Sequence, residues 1–304
     1  MKTIRSNRWW VYQRERFPVA RHGMLTAAMC FGVIAVSLPP GEGWVPATLL
    51  RAAAGCGVVF LLFLQLRIAD EFKDAAEDRR CRPHRPVPRG LVSLPELRRI
   101  GFAAACAQAG LAAAATPLLL LPLAGLWGYL LLMTCEFFVG ERLKRHPVAY
   151  LLSHSVILPL IYAFVSACAW LGTGSPPPSN LTWLMGLGLA SGMGIELGRK
   201  IWSPADEIPG VDTYSGLWGF RRATGAWAAV LASAAACALR AAGTASGTPT
   251  LIVPIAAVAL GGIRGVVRFL RTAGSDGARH IERISGLWAL ATHLGLGLTR
   301  VLAG

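Results

Sequence analysis

Charge is scarce in this chain. Only 15% of its 304 residues are Asp, Glu, Lys or Arg, against about 25% in an ordinary soluble domain. With 54% hydrophobic residues and a mean hydropathy of +0.50, that shortage excludes an ordinary soluble globule. Paired cysteines are also missing. Cys30, Cys56, Cys81, Cys106, Cys135, Cys168 and Cys237 form no CxxC pair, which excludes the common zinc and dithiol spacings, and most read as small buried apolar side chains. No cleavable signal-peptide pattern is present. Residues 1–23, basic and aromatic, are therefore expected to form a cytosolic segment ahead of the first span. Extended linkers, low-complexity tracts and strong internal repeats are absent as well. The expectation is a single integral membrane domain over residues 1–304, with polar loops at 69–96 and 198–221.

What the chain has instead is apolar length. Nine apolar windows lie near 24–40, 46–68, 97–115, 117–138, 148–172, 181–197, 222–243, 250–270 and 285–302. Several are long enough to cross a hydrocarbon core of about 30 Å. The fold class expected is all-α, a polytopic bundle of about nine transmembrane helices. The net charge of +14 would suit nucleic acid, but the basic residues sit between apolar windows, which is a topology signal. Of the 30 Lys and Arg residues, only Arg51, Arg240 and Arg300 fall on one side of the nine-window arrangement. The positive-inside rule then puts the N-terminus in the cytosol, as expected for a bacterial inner (plasma) membrane protein. Small residues such as Ala103-Ala104-Ala105 and Gly186-Leu187-Gly188 predict closely packed helices.

Acid is the scarcer charge, with 16 residues against 30 basic ones, and it is concentrated. One cluster, Asp70, Glu71, Asp74, Glu77 and Asp78, directly continues the second window. Spacings of i, i+4, i+8 and i, i+3, i+7 put its carboxylates on one helix face, where they repel one another. Such a face suits Mg²⁺, a hard cation that takes oxygen ligands and bridges to phosphates. The plainer reading is a solvated acidic helix end balanced by Lys73, Arg79 and Arg80. The second cluster, Glu196, Asp206, Glu207 and Asp212, follows the sixth window on the same face. Together the clusters are candidates to hold two Mg²⁺ ions bridged by a diphosphate. Arg67, Lys73, Arg85, Arg89, Arg199 and Lys200 are candidates to bind its oxygens. Arg85 and Arg89 lie in a proline-stiffened run, Arg82 to Gly90, that suits anionic lipid headgroups equally well.

At these residues the chain resembles the UbiA superfamily of intramembrane prenyltransferases. Asp70, Glu71, Asp74 and Asp78 fall on the positions of its NDxxDxxxD motif. Arg85-Pro86-Val87-Pro88-Arg89-Gly90 matches the RPxPxG element that follows. Glu196, Asp206, Glu207 and Gly210-Val211-Asp212-Thr213 resemble the second motif. Asp70 stands where the family usually has Asn, and Glu71 where it has Asp, so oxygen ligands are kept. The resemblance implies Mg²⁺-dependent ionisation of an isoprenyl diphosphate and transfer of the prenyl group to an aromatic or other electron-rich acceptor. Terpene cyclases of the same superfamily ionise the diphosphate without an acceptor. A transporter would need charges at the membrane midplane or an inverted repeat, and neither is visible.

Three further polar residues stand in or beside apolar windows. Glu136 is a candidate to orient an acceptor or take a proton, or to form a structural ion pair with the nearby basic residues. His154 reads as a site residue or a hydrogen-bonded core residue. Tyr214 can donate a hydrogen bond or present a ring face to a cation.

Overall fold

The computed structural model describes residues 7–243 and 248–303, so residues 1–6 of the N-terminal segment lie outside it. Among the described residues it contains fourteen α-helices and no strand. They are α1 (Arg8–Arg16), α2 (Val19–Ser37), α3 (Pro46–Lys73), α4 (Ala75–Cys81), α5 (Leu94–Ala115), α6 (Leu120–Thr134) and α7 (Gly140–Lys144). After these come α8 (Pro147–Ser155), α9 (Ile157–Trp170), α10 (Leu181–Arg199), α11 (Tyr214–Trp218), α12 (Phe220–Ala242), α13 (Thr248–Thr272) and α14 (Ser275–Ala303).

Local sequence accounts for the helix starts. Proline stands in the first turn of α3, α5 and α8, where its missing N–H is not needed. A capping box opens α5, with Ser93 N–H donating to Glu96 Oε2 at 2.9 Å. All nine apolar windows fall on helices. Six helical stretches are long and apolar enough to cross a membrane: Val19–Ser37, Pro46–Lys73, Pro117–Thr134, Pro147–Trp170, Phe220–Ala242 and Pro249–Thr272. The other three windows lie on α5, α10 and α14. These are long, but charges such as Arg98 and Arg99 in α5, or Glu282 and Arg283 in α14, make them more polar.

The helices pack as a bundle in which α13 runs along α14, α14 along α2, α10 along α12 and α3 along α5. Val33, Val58, Leu62, Ile161, Phe164 and Leu184 are fully buried between them. The outside is apolar as well, with Phe102, Leu121, Leu131, Val253 and Leu260 exposed. A soluble protein avoids such a surface, whereas a bilayer matches it.

Close approach depends on small residues. A Cβ on Gly32 of α2 would collide with the backbone carbonyl of His293 on α14. That neighbour cannot swing aside as a side chain would. Gly32→Val is therefore expected to destabilise the protein by about 1–3 kcal/mol or more. Gly125→Ala, at a helical glycine with open space around it, should be neutral or slightly stabilising. Thermal unfolding of both variants in detergent checks the contrast, and equal melting temperatures would refute it.

Candidate active site

The first acidic cluster spans the junction of α3 and α4. Asp74 leaves helical geometry between them, yet Asp74 N–H donates to Asp70 O and Asp78 N–H to Asp74 O, both at 2.8 Å. The i, i+4 register thus survives the break, but the four carboxylates meet different surroundings. Glu71 and Asp78 are each only 2% exposed. Glu71 accepts Nε–H of Arg16, which arrives from α1. Asp78 receives Arg85 Nη1 at 2.7 Å on both oxygens and Arg82 Nη1 at 3.0 Å, with Arg16 Nη2 4.0 Å away. Buried carboxylates persist only with such partners. Glu71 and Asp78 are thus held in ion pairs, Glu71 with Arg16 and Asp78 with Arg82 and Arg85. Arg89 bridges to Glu15 of α1 at 3.0 Å and donates to His84 O.

Asp70 and Asp74 are different. Both are partly exposed, and Asp70 lies 3.5 Å from Arg67. Among the described residues no cation lies within ion-pair distance of Asp74. Its carboxyl is held above the usual range, first by burial and then by the charge of Asp70. Two hard carboxylates one turn apart, under-compensated and accessible, match the chemistry of a Mg²⁺ site, which takes one or two protein carboxylates and fills the rest with water and phosphate.

Beside this pair, Lys73 turns to α8. Its Nζ donates to Tyr150 Oη at 2.7 Å, lies 3.2 Å from His154 Nε2 and 4.0 Å from Glu136 Oε1. His154 Nδ1 lies 3.0 Å from Tyr150 O. The proton therefore belongs on Nδ1, leaving Nε2 to accept from the ammonium. The His154 ring stacks on Tyr150 at 4.1 Å, with Phe137 edge-on at 5.8 Å. Glu136, Phe137 and Phe138 all have positive φ, at 47°, 53° and 60°. Three consecutive left-handed non-glycine residues store strain, and this turn is what brings Glu136 toward Lys73.

The second cluster is also divided. Glu196, in the last turn of α10, pairs with Arg199 Nη2 at 2.6 Å and Lys200 Nζ at 3.2 Å. Glu207 accepts from Thr213 Oγ1 at 2.6 and 2.7 Å and from Ser215 Oγ at 2.8 Å. It staples its loop, which closes where Tyr214 N–H donates to Lys200 O at 3.0 Å. Lys200 Nζ stands 5.8 Å from the Tyr214 ring centroid. Burial pushes the Tyr214 hydroxyl well above its ordinary range. Asp206 and Asp212 are exposed. Among the described residues no three His, Cys, Asp or Glu side chains converge as a ready-made metal cage.

The two clusters nevertheless meet. Gly210, at positive φ in the second loop, would place a Cβ 3.6 Å from Cys81 Sγ at the end of α4. Asp70 acts electrostatically on Arg199. The charges of Glu136, Asp74, Asp70 and Glu196 all act on Tyr150. The two charged motif segments thus lie side by side.

A family model described as the UbiA prenyltransferase family matches residues 24–287. The chain belongs to this family. As a UbiA protein it is an integral membrane enzyme of the prenyl-transferring class. An apo UbiA homologue from Aeropyrum pernix K1 shares its fold at TM-score 0.65 and 18% identity, covering 92% of this chain and 97% of that one. A structure described in connection with digeranylgeranylglyceryl phosphate synthase aligns at TM-score 0.59 and 14% identity, covering 97% and 99%. A UbiA homologue from Archaeoglobus fulgidus bound to DMAPP and Mg²⁺ aligns at TM-score 0.48 and 17% identity, covering 75% of this chain and 76% of that one. Among curated proteins nothing matches at a significant level.

Arg16 is the residue that sequence reasoning passes over in this UbiA chain. It is one of many N-terminal basic residues, and no local pattern marks it. Only the side-by-side packing of Tyr12 with Ile68, Val92 and Leu97 brings α1 over the first motif. Arg16→Met should cost roughly 3–5 kcal/mol, because Glu71 becomes a buried, uncompensated charge. Adding Glu71→Leu should recover most of that loss. Denaturant unfolding in micelles reads both, and an R16M/E71L protein no more stable than R16M would contradict the pairing.

Asp74 gives a prediction of opposite sign. Its folded pKa is raised, so ionised Asp74 destabilises the fold. The cost begins as pH rises through the unfolded pKa and is complete above the folded one. Asp74→Asn should therefore raise the melting temperature at neutral pH in EDTA, with the gain vanishing on acidification. A melting temperature below wild type at neutral pH would show that Asp74 is compensated after all.

Proposed function

We propose that this UbiA protein ionises an isoprenyl diphosphate in the membrane and transfers the prenyl group to an aromatic or other electron-rich acceptor. The observation that carries the reading is the accessible Asp70–Asp74 pair. Arg67 and Lys73 stand beside it, and Arg199 and Lys200 belong to the neighbouring second motif segment. Asp70 and Asp74 would hold Mg²⁺. When bound, Mg²⁺ supplies Lewis-acid neutralisation of the charge that gathers on the diphosphate.

The chain's own groups do the rest. Arg67, Lys73, Arg199 and Lys200 offer charge-assisted hydrogen bonds to the diphosphate oxygens, and those bonds strengthen as the leaving group gains charge. The surrounding helices exclude water from the allylic cation and accommodate the hydrocarbon tail. Tyr150 and His154 hold the Lys73 ammonium in place, and Glu136 balances it. Tyr214 presents its ring to Lys200.

The sequence suggested two ions, the second on Glu196, Asp206, Glu207 and Asp212. Glu196 is engaged by two cations and Glu207 by two hydroxyls, which favours a single ion at Asp70 and Asp74. Arg199 and Lys200, held by Glu196, then serve the second side. The distribution of basic residues supports a cytosolic N-terminus and cytosolic motif loops in a bacterial inner membrane.

Replacing Asp74 with Ala should lower turnover by about 100- to 1,000-fold without unfolding the protein, and EDTA should abolish activity in the wild type. Full turnover in either case would sink the mechanism. Mass spectrometry after incubation with geranyl, farnesyl and geranylgeranyl diphosphates, with and without an aromatic acceptor, tests the transfer. A prenylated acceptor is the expected product. A cyclic hydrocarbon or terpene alcohol formed without acceptor would replace transfer by cyclisation.

A further inference from the structure

The last three turns of α13 carry three arginines, Arg264, Arg268 and Arg271, that the proposed site does not use. All three are exposed, and among the described residues no acidic side chain pairs with any of them. Together with Ile263 and Val267 they line a shallow recess of about 330 Å³. Their direction is set by packing on the opposite side of the helix. Gly262 and Gly265 lie so close to α14 that a Cβ would press on Ile284 and His280, and Phe269 is fully buried. At about 100° per residue, positions 262, 265 and 269 share one face, while 264, 268 and 271 share the face turned away from the bundle.

That outward face continues as apolar surface. Leu260 is 70% exposed, Ile263 53% and Val267 39%. They lie on a helix that is long and apolar enough to cross a membrane. Arginines on a lipid-facing surface are costly unless their heads reach charge at the interface. Here three guanidiniums gather around one recess at the helix end, and a strip of exposed side chains leads from it toward the helix middle.

We infer that this face binds an anionic phospholipid, with the phosphate between Arg264, Arg268 and Arg271 and an acyl chain along Val267, Ile263 and Leu260. A zwitterionic lipid leaves most of this positive charge unbalanced. A free phosphate leaves the apolar strip uncovered. A lipid with a net negative headgroup matches both parts.

The full-length protein in nanodiscs provides the test. Retained lipid is counted by native mass spectrometry after exchange into phosphatidylglycerol, phosphatidylcholine or an equal mixture. The wild type is expected to retain phosphatidylglycerol selectively. Arg264→Gln, Arg268→Gln and Arg271→Gln together should weaken that preference on the order of 100-fold, since each basic residue near an anionic surface contributes roughly a fivefold factor. The triple lysine variant should keep most of it. If the triple glutamine variant does not fold, Arg268→Gln alone should still lower retention by about fivefold. Equal retention of the two lipids by the wild type, undiminished preference in the glutamine variants, or displacement of the lipid by inorganic phosphate at equal concentration would each overturn the assignment.

Discussion

A carboxylate buried at the end of a membrane bundle survives only with a cation against it, and the architecture of the motif end follows from that constraint at Glu71 and Asp78. Their partners come from separate elements: Arg16 from α1, and Arg82 and Arg85 from the segment after α4. Each pair therefore also ties two pieces of chain together. Desolvating these charges is expensive, and the attraction between them returns the cost only when hydrogen bonds are well formed. The pairs are thus better regarded as fixing position than as adding stability. What they fix is the α3–α4 junction, and with it the direction in which Asp70 and Asp74 face.

The same rule applied in the other direction makes the site. Glu71, Asp78 and Glu196 each have basic partners in ion pairs. Asp74 has none among the described residues, and burial with the Asp70 charge raises its carboxyl pKa. The cost of that arrangement shows in the backbone as well as in the titration. Glu136 to Phe138 hold a left-handed turn that brings an acidic side chain toward Lys73. Strain next to uncompensated charge is characteristic of a site organised for binding.

Much of this was legible before any coordinates. The apolar windows identify the helices, because hydrocarbon length is a one-dimensional requirement. The spacing of Asp70, Asp74 and Asp78 is a helical period and survives in the structure. The RPVPRG run is recognisable because prolines and arginines rarely alternate by chance. The count of nine spans was less secure. Charges in the N-terminal halves of α5 and α14 leave those helices more polar than a lone window suggests. Arg16 could not be singled out, since a basic residue in a basic tail carries no mark of its partner. Lys73 was visible as a charge, but its Tyr150 and His154 partners lie 77 and 81 residues away along the chain.

The scarcity of charge in the sequence by itself determined that this protein lives in a membrane, and the placing of its few acids determined which segments are the candidate site. Periodicity, hydropathy and local motif spacing act along the chain, so they can be read along it. Which carboxylates are silenced and which stay available was decided only by tertiary structure. That choice depends on desolvation and on guanidiniums delivered from distant segments. Two motif residues one position apart, Asp70 and Glu71, look interchangeable as letters. In the fold one is partly exposed beside Arg67 and the other is buried against Arg16.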